Sequence, residues 1–206
     1  MQLQAEKRDA ITRAARIVFG RDGYARAGVD AIATEAGVSS RTLYKHFVSK
    51  DVLFASVLEA SATQVADRFE ALLRDVPGAR TADDVPRELI AVGHALVRQA
   101  IDNPEHFAMV RQITAESTHF PEPVITAWQE AGPRRVEREV ARRLVALGER
   151  GLLTVRNVDR TMLHFMALTT IEANPRAMKP VGHLGPERTA EAVAAGVQAF
   201  LTGYQP

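Results

Sequence analysis

The chain has 206 residues, 46% of them apolar and 25% charged, which is an ordinary globular balance and enough material to bury a sizeable core. Its 26 Lys and Arg nearly cancel 25 Asp and Glu, and it has no Cys, which excludes disulfides, thiol catalysis and Cys-based zinc sites. No apolar stretch approaches a membrane span and the N-terminus lacks the apolar core of a signal peptide, so the expected location is the cytoplasm.

Apolar spacing predicts a first helix over residues 6–21, with Ile11, Ala15, Val18 and Phe19 on one face. Residues 30–47 read as two short helices around a Gly-centred turn. Gly37 can take the positive φ that a sharp turn needs, and Ser39 can cap the helix that follows. Ile32, Ala33, Val38, Leu43 and Phe47 would clamp the pair together from inside. Ser40, Arg41, Tyr44 and Lys45 are left facing outward, with Thr42 and His46 on their flanks. All can donate to phosphates or base edges, so the device reads DNA. Ser39, Ser40, Arg41, Thr42, Tyr44, Lys45, His46 and Lys50 are its candidate contacts. Charge supports this: residues 1–50 hold nine Lys and Arg against five Asp and Glu, whereas the remainder holds 17 against 20. A basic end on an acidic body turns that end toward a polyanion.

Ser49 is expected to cap a long helix over residues 50–73, and Pro or Gly punctuation predicts further helices over 84–101, 104–117, 123–147, 159–171 and 186–202. No repeat, low-complexity tract or alternating strand pattern is present, so the expected fold is all-α. The natural boundary lies near Ser49, dividing a helix-turn-helix domain over 1–49 from a second helical domain over 50–206. The mixed-sign run from Arg134 to Arg143 reads as a solvated face with i to i+4 ion pairs. Met162, Leu163, Phe165, Met166, Leu168 and Ile171 surround their helix almost completely, so one side needs a partner besides the core. Met162, Phe165, Met166, Val193, Val197, Phe200 and Leu201 are the candidate dimer interface, with Ala190, Ala194, Ala195 and Gly196 permitting close helix approach.

The N-terminal pattern resembles the tetracycline-repressor (TetR) family of bacterial transcription regulators. It is carried by residues 11–19, Gly23-Tyr24, Ile32-Ala33, residues 36–39, Thr42-Leu43-Tyr44, His46-Phe47 and Lys50, in order and without gaps. Gly28 departs from it, standing where the family usually has a Thr or Ser that caps the first motif helix and touches a phosphate. Arg41 departs too, standing where many members have Gly, and adds a cationic fork able to pair with guanine. Phe120-Pro-Glu-Pro, Gly132-Pro133 and Arg150-Gly-Leu-Leu153 resemble the AefR-like subgroup. The resemblance implies a homodimer on a palindromic operator and a small-molecule inducer enclosed by the middle helices. Candidate lining residues are Phe69, His94, Leu96, Phe107, Met109, Arg111, Ile113, His119, Trp128 and Phe165. That mixture suits a mostly apolar ligand with one anionic or hydrogen-bonding end.

The reading is therefore a ligand-responsive DNA-binding regulator, a repressor by the family pattern, and not an enzyme, with no cofactor or metal. Two alternatives are a helical small-molecule-binding enzyme and an architectural DNA-binding protein without an inducer. For the first, Glu116 and His119 have the Glu-x-x-His spacing of di-iron bundles, but no other His has a Glu three positions before it.

Overall fold

The computed structural model describes residues 2–115, 120–173 and 184–206, and these are helical almost throughout, with no strand among them. The helices are α1 (Gln2–Asp22), α2 (Val29–Glu35), α3 (Ser40–His46), α4 (Lys50–Arg74), α5 (Val85–Asp102), α6 (Pro104–Ala115), α7 (Glu122–Ala131), α8 (Pro133–Glu149), α9 (Val158–Thr170) and α10 (Pro186–Tyr204). A 3₁₀ turn (Ala82–Asp84) leads into α5 and carries a capping box in which Thr81 and Asp84 satisfy each other's backbone N–H groups.

One expected helix is two. The periodicity that runs over residues 123–147 is interrupted between α7 and α8 at Gly132-Pro133. Gly132 leaves the helical region with φ −135° and ψ −77°, and Pro133 has no N–H to continue the ladder. Gly132 also packs on α4, where a Cβ would lie 2.8 Å from the Ala62 methyl. The expected end of α6 at Ser117 falls outside the described residues.

The chain forms two compact units, one of residues 1–66 and 103–133, the other of 67–102 and 134–206. In the first, Ile11, Val18, Phe19, Ile32, Leu43, Phe47, Phe54, Leu58, Met109 and Ile113 make one continuous core, with Tyr24, Phe120, Ile125 and Trp128 packed against it. In the second, α9 and α10 lie together so closely that the Gly196 backbone rests on the Leu168 carbonyl. Phe165 meets the edge of Phe200 at 5.2 Å, and Gly93 of α5 admits the Val193 side chain, which would lie 2.7 Å from a Cβ there.

His106 is buried in the first unit, with Nδ1 2.9 Å from the Ser61 hydroxyl. Burial, and then the Arg16 charge, push its pKa down from 6.5 to about 4. The folded state thus binds this proton less tightly than the unfolded chain does. The stability from keeping His106 neutral is complete above pH 6.5 and is lost as pH falls toward about 4. We expect wild-type unfolding free energy to fall by about 3 kcal/mol across that window through this group. Urea melts at about pH 7 and about pH 4.5 check it: the difference should shrink in His106→Gln, and an equal difference in both proteins removes the assignment.

Candidate nucleic-acid interface

The turn between α2 and α3 is built as its residue types require. Gly37 sits at φ 65°, and the Val38 N–H donates to the Ala33 carbonyl at 2.9 Å. The Ser39 hydroxyl accepts the Thr42 N–H at 3.2 Å, completing the α3 N-cap. Ile32, Ala33, Leu43 and Phe47 are buried and Val38 is packed against them. At the start of α2, Gly28 caps without a side chain, in open space.

With the inner face so anchored, Ser39, Arg41, Tyr44 and Lys45 are exposed, while Ser40, Thr42, His46 and Lys50 are half-buried. Their hydrogen-bonding capacity is unequal. The Ser40 hydroxyl donates to Asp30 Oδ1 at 2.6 Å and the Ser39 and Thr42 hydroxyls pair at 2.9 Å, so these three are already engaged inside the motif. Arg41, Tyr44 and Lys45 have no such partner among the described residues. Lys50 lies 4.6 Å from the Tyr24 ring centre with its ammonium 3.3 Å from the Ala25 carbonyl, and burial pushes its pKa down from the usual lysine value. Sequence reasoning missed Arg8, which donates to the His46 carbonyl at the end of α3 and stacks 4.4 Å from the Phe47 ring. No local pattern marks such a contact across 38 positions.

The candidate ligand residues are divided. Met109 and Ile113 belong to the core of the first unit, where Phe107 and Trp128 are half-buried and Arg111 is exposed. Phe69, Leu96 and Phe165 are buried in the second unit and His94 is half-buried there. Neither unit gathers all of them into one lining, because the apolar side chains fill the core of the unit to which each belongs. His119 lies outside the described residues. The Trp128 indole N–H is buried without a hydrogen-bond partner. In the second unit, one cavity of about 460 Å³ is lined by Thr154, Arg156, Asn157, Arg160 and Tyr204, and another of about 270 Å³ by Glu88, Arg142, Arg143 and Arg150. Neither contains a candidate lining residue.

The candidate dimer residues lie mostly inside the chain. Met162, Phe165, Val193, Val197, Phe200 and Leu201 are buried inside the chain, and Met166 is half-buried. Packing among α5, α9 and α10 takes up the buried ones. The apolar side chains that α9 leaves exposed are Leu163 and Leu168, followed by Ile171 just beyond its end. The charged run also departs from expectation at one position: Arg143 is buried, not solvated. Among the described residues no cluster of three or more His, Asp and Glu is placed to hold a metal ion, and no helix is long and apolar enough to cross a membrane.

Residues 11–57 match the bacterial regulatory proteins of the tetR family, and residues 87–206 match the C-terminal domain of AefR-like transcriptional repressors. The transcriptional activator FasR of Mycolicibacterium smegmatis is 33% identical over 122 residues, covering 59% of this chain and 51% of FasR. The regulator UidR of Escherichia coli K12 is 28% identical over 123 residues, covering 59% of this chain and 58% of UidR. The chain thus spans little more than half the length of these curated relatives. Among solved structures, a TetR-family regulator from Mesorhizobium loti superposes with a TM-score of 0.83 at 28% identity, covering 98% of each chain. The flavonoid-responsive regulator FrrA superposes with a TM-score of 0.69 at 28% identity, again covering 98% of each.

Proposed function

Since this chain belongs to the TetR family of bacterial regulatory proteins, we propose that it is a cytoplasmic, non-enzymatic, dimeric repressor released from a palindromic operator by a small molecule. The observation that carries the reading is the capped α3, whose Arg41, Tyr44 and Lys45 face solvent while its other face is locked into the core. Residues 1–49 are the reading head and 50–206 the sensing and dimerising body. Two heads on a twofold axis would sit about 34 to 36 Å apart on successive major grooves. The sign rests on the AefR-like C-terminal half, which is that of a repressor, although FasR is an activator.

Responsiveness of FrrA to flavonoids supports a small-molecule effector, and the apolar surroundings of Trp128 support a mostly apolar one with a hydrogen-bonding end. The scheme is linkage: effector and operator each prefer a different conformation, so each weakens the other's binding by one common factor. Quenching of Trp128, the single Trp of the chain, with and without operator measures that factor. A compound that releases DNA yet binds free and operator-bound protein equally would not act by this route.

Sequencing duplexes selected from a random pool by the purified protein tests the reading, and failure to enrich any palindrome would overturn it. On the selected operator, Arg41→Ala is expected to cost about 1 to 3 kcal/mol and to relax preference at one or two base pairs, as loss of a bidentate guanine contact does. Identical selectivity profiles for Arg41→Ala and wild type would remove Arg41 from direct readout.

A further inference from the structure

The end of α1 is completed by a side chain from α6. Gly23 turns the chain at φ 87°, and its N–H donates back to the Phe19 carbonyl at 3.0 Å. A helix that ends this way leaves the next N–H, that of Tyr24, without a partner in the helix. That N–H donates instead to Oε1 of Gln112 at 2.8 Å, while Nε2 of the same amide donates to the Phe19 carbonyl at 3.2 Å. One amide therefore holds both sides of the turn. The space is matched to it, since Nε2 would lie 3.4 Å from a Cβ at Gly23.

Tyr24 carries the consequence toward the DNA-facing surface. Its hydroxyl bonds to Asp51, and its ring lies under the Lys50 ammonium. The other contacts of the ring, Phe54 at 4.9 Å, Phe120 at 5.1 Å and Phe19 at 6.1 Å, belong to the core of this unit. Lys50 is further tied to the Ala25 carbonyl, one residue beyond Tyr24. The position of Lys50 at the start of α4 is thus linked, through Tyr24, to Gln112 of α6, which is the hydrogen-bonding anchor of the Tyr24 backbone.

We infer that Gln112 is a positioning residue for DNA recognition: by holding the Phe19 to Tyr24 turn it seats Lys50 against a DNA phosphate, so that α6 must be docked for that contact to form. The inference rests on the DNA-binding reading above. Sequence spacing gives no sign of it, because Gln112 lies 88 positions from Tyr24.

Gln112→Met keeps the length and packing of the side chain and removes both hydrogen bonds, so it isolates their role. Binding of the full chain to the selected operator duplex is measured over a range of salt for wild type, Gln112→Met, Lys50→Ala and the double variant. Each single variant is expected to bind about tenfold more weakly, with a salt slope lower by about one phosphate contact. The double variant should bind no more weakly than Lys50→Ala within about twofold, because both changes remove one contact. Multiplying effects, or a wild-type salt slope in Gln112→Met, overturn the inference. Hydrogen exchange without DNA tests the latch separately. The Tyr24 amide should exchange at least about tenfold faster in Gln112→Met, and unchanged exchange overturns the latch itself. A wild-type protein that fails to bind the selected duplex overturns the DNA-binding reading and, with it, the role given to Lys50.

Discussion

Phe200→Asp is expected to unfold the second compact unit instead of separating two folded subunits. Phe200 is fully buried, with its ring 5.2 Å from Phe165 and 4.5 Å from Tyr204, one turn beyond the point where Gly196 rests on the Leu168 carbonyl. Truncating a buried aromatic costs about 3 to 5 kcal/mol, and leaving a carboxylate there without a partner adds more. Together these rival the whole stability of a typical domain, about 5 to 15 kcal/mol. Leu163→Asp makes the contrast, since Leu163 is 57% exposed on the face of α9 turned away from that core. Its stability should change by no more than about 0.5 kcal/mol, while a homodimer built on the exposed face of α9 should dissociate. Thermal melts followed by circular dichroism, with light scattering at micromolar protein, separate the two outcomes. A cooperatively folded Phe200→Asp protein with the wild-type midpoint would contradict the packing.

The same pair of positions shows what was legible from residue order. That α9 is apolar nearly all round could be read directly, and it correctly implied more than one apolar surface. Which side met α10 could not be read, because Phe165 and Leu163 look alike as hydrophobic residues two positions apart. Local chemistry served better wherever a backbone need is met within a few residues. The positive φ of Gly37, the Ser39 cap and the Ser49 hydroxyl that accepts the Val52 N–H at 3.2 Å all lie where composition placed them. Gly132-Pro133 is a legible break, set inside an apolar periodicity that continues on both sides of it. Gln112 and Arg8 carried no such sign, and neither did the burial of Arg143 against Glu88, because these partners lie far along the chain and only the assembled helices bring them together. Only the Glu139 contact of Arg143, four residues away, was legible.

Arg143 gives the second large effect, and its size should depend on which partner is removed. Its guanidinium lies 3.0 Å from Glu88 Oε1 and 3.1 Å from Glu139 Oε1, and it also donates to the Leu73 carbonyl at the end of α4. Both Arg143 and Glu88 have side chains at most 8% exposed. Glu88 has one further anchor, the Ala79 N–H at 2.7 Å. Removing one member of a buried pair typically costs about 3 to 5 kcal/mol, because the charge that remains is desolvated without compensation. Glu88→Ala leaves Arg143 with Glu139, whose carboxylate is held below its ordinary pKa first by Arg142 and also by Arg143. Arg143→Met leaves Glu88 with an amide alone and strips the Leu73 carbonyl of its side-chain donor. We therefore expect Glu88→Ala near the lower end of that range and Arg143→Met near the upper. Replacing both, as Glu88→Met with Arg143→Met, should recover much of the loss, since no buried charge of that pair is then stranded, although the Leu73 carbonyl and the Ala79 N–H still lack these partners. Urea midpoints of the three variants at neutral pH decide this. Losses in the double variant equal to the sum of the singles would mean that Arg143 and Glu88 act independently, and that the end of α4 is not held by their pairing.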